Sequence, residues 1–135
     1  MLFRSGGLTG IASQAVVAFH DGTADPTCVA ATSVITTLNW AAAATPRTAC
    51  VVNAGNGDLI VSNTTLPAVA GAQFSRGTQT ASACTLGQTV AMGQFCTVVI
   101  SRARPAVAPT AGTGTLTATD TGAAAATQVL QLSGT

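Results

Sequence analysis

Short segments rich in Thr and Val, alternating in character and broken by Gly, Asn and Pro, run through most of this chain. That pattern constrains the fold more than any other feature. In a strand, successive side chains point to opposite faces, so period-two alternation marks a segment with one buried face. Thr48-Ala49-Cys50-Val51-Val52-Asn53 reads as a strand. Asn56-Gly57 comes next and predicts a hairpin, because both residues tolerate positive φ. Leu59 to Leu66 then reads as the next strand, stopped by Pro67. Gln94 to Ser101 puts Cys96, Val98 and Ile100 on one face and Phe95, Thr97 and Val99 on the other. Thr113 to Asp120 and Gln128 to Leu132 complete the set. Seven or eight short strands with turn signals about every ten residues indicate an all-β sandwich.

Helix is the weaker reading. Ala41 to Ala44 and Ala123 to Ala126 have high helix propensity, but neither has an amphipathic flank and four residues cannot meet the nucleation cost. Both are expected to be loops. The chain is 135 residues long, enough for one domain with a core and too short for two ordinary ones.

Composition removes several classes of function. Charged residues make up 7% of the chain, against about 25% in ordinary domains. All cations are Arg and all anions are Asp, with net charge +1, so no basic field exists to hold nucleic acid. No apolar run is long enough for a membrane-spanning helix, so membrane insertion is not expected. Low charge with abundant Thr and Gly suits exported, repeat-built surface proteins. Gly6-Gly7 and Ser13-Gln14 interrupt any leader-like stretch behind Arg4, and for an exported protein the true start is then expected upstream. Leu2-Phe3-Arg4-Ser5 also resembles the translated end of a sequencing adapter, as found in metagenomic fragments.

The four cysteines, Cys28, Cys50, Cys84 and Cys96, form an even set without C-x-x-C spacing. Two disulfides in an oxidising compartment are expected, rather than a metal knuckle or a redox dithiol. Three connectivities are open at this point.

Thr48 to Thr135 resembles the choice-of-anchor D repeat, an abnormal-spindle and hydin type of bacterial immunoglobulin-like domain. The matching pieces fall in order. They run from Asn53 and Gly55-Asn56 through Leu59-Ile60-Val61 and Phe74 to Cys84-Thr85-Leu86-Gly87. Gly93-Gln94-Phe95-Cys96-Thr97-Val98 comes after these, then Gly114-Thr115-Leu116-Thr117-Ala118-Thr119-Asp120 and the closing Leu130-Gln131-Leu132-Ser133-Gly134. Upstream, Leu38-Asn39-Trp40 is similar to an early strand that sends an aromatic into the core. The resemblance implies an immunoglobulin-like sandwich of antiparallel strands over residues 28 to 135. Residues 1 to 27 are then the tail of a preceding repeat, a linker or the first strand. It also implies a Cys84–Cys96 bridge, which leaves Cys28 to Cys50. Arg102 departs from the repeat by standing where a further inward apolar residue belongs, so the strand is expected to end early or to bulge and turn Arg102 outward.

The functional expectation is a non-catalytic structural or adhesion module of a larger secreted or cell-surface protein, with neighbouring repeats, and a surface glycan or protein, as its partners. A carbohydrate- or protein-binding accessory module and a strand-exchanging assembly subunit are the alternatives. No catalytic, cofactor or metal residues are assigned. His20-Asp21 with Asp25 is the only titratable cluster; it lacks the further oxygen ligands of a calcium loop and is expected to be a solvated loop. No G-x-S-x-G is present, and Gly112-Thr113-Gly114 reads as a turn into a strand. Trp40 has two readings, a core anchor or a ligand-stacking platform whose exposure would mark a binding module.

Overall fold

In a computed structural model, the described residues are 13–23, 26–28, 34–41, 45–103, 110–122 and 124–135. They are all-β, with no helix. The strands are β1 (Val17–Asp21), β2 (Thr37–Trp40), β3 (Arg47–Asn53), β4 (Leu59–Ile60) and β5 (Ala68–Ala70), then β6 (Phe74–Arg76), β7 (Thr89–Val90), β8 (Phe95–Arg102), β9 (Gly112–Thr119) and β10 (Thr127–Gly134). Two four-stranded sheets hold eight of them, in the orders β2-β10-β9-β5 and β1-β3-β8-β6, and β4 with β7 forms a small ribbon. The pairings are antiparallel except β2 with β10, which is parallel over Thr37↔Gln131 to Trp40↔Gly134. That pair corrects the expectation of antiparallel strands throughout.

Alternation builds the core directly. Leu38, Trp40, Leu116, Ala118, Leu130 and Leu132 of the first sheet meet Val17, Phe19, Ala49, Val51, Cys96, Val98 and Ile100 of the second, all buried. Burying such side chains contributes about 1.5–3 kcal/mol each for the larger ones, Phe19, Trp40 and Phe74 among them. Strand β1 belongs to this core although it lies within residues 1 to 27, so the packed unit extends upstream of Cys28. Residues 1–12, with Leu2-Phe3-Arg4-Ser5, lie outside the described residues, as do Ala42, Ala43, Ala44 and Ala123 of the alanine runs.

Three expected elements differ. Asn56-Gly57 does not close a hairpin, because Leu59 and Ile60 pair with Val90 and Thr89 and not with β3. Instead the segment is held by the entering chain: Asn56 and Gly57 N–H groups donate to the Gln14 carbonyl, and a side chain on Gly55 would fall 2.1 Å from that same oxygen. Glycine is needed there for close approach rather than for a turn. The expected strand to Leu66 stops at Ile60, where the Thr65 hydroxyl donates to the Ile60 carbonyl and accepts from Ser62 N–H, folding the chain into a turn. Gly112-Thr113-Gly114 is not a turn into a strand but the first part of β9.

Both sheets have a defined axis. At one end lie Gln14, Asn53 and the β9–β10 turn, with Gln14 bridged to Gly122. At the other lie Asp21, Trp40, Arg47, Arg102 and Gly134. The described chain enters at the first end and leaves at the second.

Candidate functional site

The cysteines are paired as Cys28–Cys50 and Cys84–Cys96, with Cα–Cα distances of 5.9 and 4.9 Å. Their positions differ. Cys96 points inward from β8, and with Cys84 it is part of the core. Cys50 points outward from β3, and its bridge pins the segment around Cys28 over the outer face of the second sheet.

Trp40 is buried, 2% exposed, and its ring lies 5.1 Å from that of Phe74 at a 58° tilt. Its indole N–H donates to the Thr45 carbonyl at 2.8 Å. No face is left for stacking on a ligand, so the platform reading of Trp40 is corrected to a core anchor.

Arg102 reverses an expectation. Strand β8 neither stops short of Arg102 nor turns it outward: Arg102 is the last residue of the strand, opposite Phe74, and is 3% exposed. Its guanidinium donates to Gln73 Oε1 and to the carbonyls of Ala41, Thr110 and Thr135, at 3.0 to 3.4 Å. One planar fork with five donors thus gathers four segments at the exit end of the sandwich. Gly134 makes room for it, since a Cβ there would lie 2.2 Å from the guanidinium. Alternation pointed to the inward direction of Arg102; the carbonyls that satisfy it come from segments distant in sequence.

His20 and Asp21 are not in a solvated loop. Both sit in β1, and adjacent strand positions send their side chains to opposite faces. Asp21 pairs with Arg47 at 2.8 Å at the exit end, and Arg47 also donates to the Asn39 carbonyl on the edge of the first sheet. Asp25 lies outside the described residues. Asp120 is buried at the opposite end, where it accepts from Val17 N–H and from the Gln128 amide. Among the described residues, no three His, Cys, Asp or Glu side chains come together to hold a metal ion.

A concavity lies among the described residues, and the sequence alone did not bring its lining together as a site. It is a cleft of about 400 Å³ on the outer face of the second sheet, lined by His20, Thr27, Cys28, Val52, Gly93, Gln94 and Phe95. The detectable signal was the apolar Phe95 and Val99 on the face of β8 away from Cys96, Val98 and Ile100; the structure sets Val52 opposite Phe95. Chemically its lining combines the apolar Val52 and Phe95 with the Gln94 amide, the Thr27 hydroxyl and the His20 imidazole.

Comparison with protein-family models, with curated proteins and with solved structures finds no match for this chain.

Proposed function

We propose that this chain is a non-catalytic immunoglobulin-like module that serves as a structural or adhesion repeat within a longer secreted or cell-surface protein. The observation that carries the reading is the placement of entry and exit. Gln14 lies beside Asn56 and Gly122 at one end, and Thr135 lies beside Trp40 and Arg102 at the other. Such a module can be threaded in series, each copy extending the one before.

The sheet orders support the fold assignment. With β1, β3, β8 and β6 as strands A, B, E and D, and β10, β9 and β5 as G, F and C, the connectivity matches an immunoglobulin sandwich. The resemblance to choice-of-anchor D repeats agrees with it. Two disulfides suit an oxidising, extracytoplasmic compartment. No helix among the described residues is long and apolar enough to cross a membrane. The strand-exchanging alternative finds less support, because β1 fills the edge beside β3 from the chain's own sequence.

The test is to join two copies in series and measure small-angle scattering. A serial spacer gives an elongated particle whose maximum dimension grows by one module length, whereas folding back of one copy on the other would overturn the reading. The cleft favours a second reading, an accessory module that binds a small apolar ligand or side chain. Val52→Arg would fill the cleft and abolish such binding while leaving the elongated shape of the tandem unchanged.

A further inference from the structure

The two disulfides determine which parts of this module would feel tension. Strand β1 runs from the entry end toward the exit end and is antiparallel to β3, from Val17↔Asn53 to Asp21↔Ala49. A pull from upstream of Gln14 therefore acts along the axis of β1. Strand β10 runs the same way, pairing with β9 from Thr119↔Thr127 to Gly112↔Gly134 and with β2 over its last part. A pull on Thr135 acts along β10. Ladder hydrogen bonds lie across the strands, so loading along a strand axis strains the whole ladder at once rather than opening it pair by pair. Both terminal strands are loaded in shear. The β1 ladder is the shorter, and β1 is flanked by one full strand where β10 is flanked by two, so β1 yields first.

The Cys28–Cys50 bridge decides where the load goes next. Once β1 slides free, tension reaches Cys28 and crosses to Cys50, in the middle of β3. Strand β2 lies inside the bridged segment and is bypassed, so its parallel ladder stays on the flank of β10. Cys84–Cys96 bypasses β7 in the same manner. We infer that this chain is a shear-loaded tether whose disulfides remove two segments from the tension path, limiting its extension and keeping β2 clamped on the last strand. The biological use of this device rests on the spacer reading, whereas the load path comes from the module's own topology.

The bridged cysteines are 22 and 12 residues apart in sequence. An extended chain spans at most about 3.3–3.6 Å per residue, so the bridges withhold roughly 75 Å and roughly 40 Å of length. The experiment is single-molecule pulling of the full oxidised chain between two folded handles. The expected release falls short of that of the reduced chain by roughly 115 Å. Dithiothreitol added while the unfolded oxidised chain is held under load should produce two late steps, one of each length. Because that readout uses the wild-type chain, it stands even where Cys28→Ala/Cys50→Ala fails to fold. Moving the upstream handle to Ala111, beside the exit end, would open β9 from β10 pair by pair and should lower the unfolding force severalfold. Equal release with and without intact bridges, or equal force in the two geometries, would overturn the inference. A low force in both geometries leaves the spacer reading to the tandem scattering test. A folded-back tandem with a high end-to-end force would instead sink the spacer reading and spare this one.

Discussion

The two sheets share one alternating grammar and yet finish differently on their outer faces. On the first sheet, the outward positions of β9 and β10 are Thr113, Thr115, Thr117, Thr119, Thr127, Val129, Gln131 and Ser133, with Thr37 and Asn39 on β2; all but Val129 are polar and each is at least partly open to solvent. On the second, outward His20, Cys50, Thr97 and Val99 are buried. Covering loops account for this. The Ile35 N–H donates to the Phe19 carbonyl, and Cys28 is tied to Cys50. The Gln79 side chain donates to the Val99 carbonyl and accepts from the Val99 N–H. A sheet with one solvated face shows hydrophobic-in, polar-out alternation, whereas a sheet covered on both faces reads as a continuous apolar run. Cys96-Thr97-Val98-Val99-Ile100 is such a run, buried at every position.

Three substitutions would break or sharpen this contrast, from the largest effect to the smallest. Removing the covalent cover with Cys28→Ala/Cys50→Ala should cost about 3 kcal/mol, the chain-entropy value for a loop of this length, read as a drop in the urea midpoint. An unchanged midpoint would mean that the cover on the second sheet is held by its hydrogen bonds alone. Val99→Thr, which sets a hydroxyl under the Gln79 segment with the shape nearly conserved, should cost about 1–2 kcal/mol. Thr115→Val makes the opposite exchange on the solvated face and should change stability by less than about 0.5 kcal/mol in either direction. If Thr115→Val proved as costly as Val99→Thr, the two outer faces would be equivalent and the contrast would fail.

The Arg102 site and the cleft show where reading along the chain loses information. The period of β8 correctly directs Arg102 inward, and a charged residue at an inward position ordinarily signals the end of a strand. Gln73 Oε1 and the Ala41, Thr110 and Thr135 carbonyls, brought from four other segments, make its burial tolerable. The Asn56-Gly57 pair likewise carries strong local hairpin chemistry. The approach of Gln14 from a distant part of the chain redirects it into a crossing between sheets.

What the amino-acid order determined alone is the content of each layer: an all-β reading, strands read at 48–53, 94–101, 113–120 and 128–132 that lie within a residue or two of those formed, and an even complement of cysteines. These are contiguous properties, since alternation along one segment fixes which of its side chains share a face. Tertiary structure decided which strands are neighbours, that β2 runs parallel to β10, that Trp40 is closed in, and that loops cover one sheet and leave the other bare. Each of these depends on residues far apart in the chain, where backbone donors and acceptors find their partners only after the layers have come together.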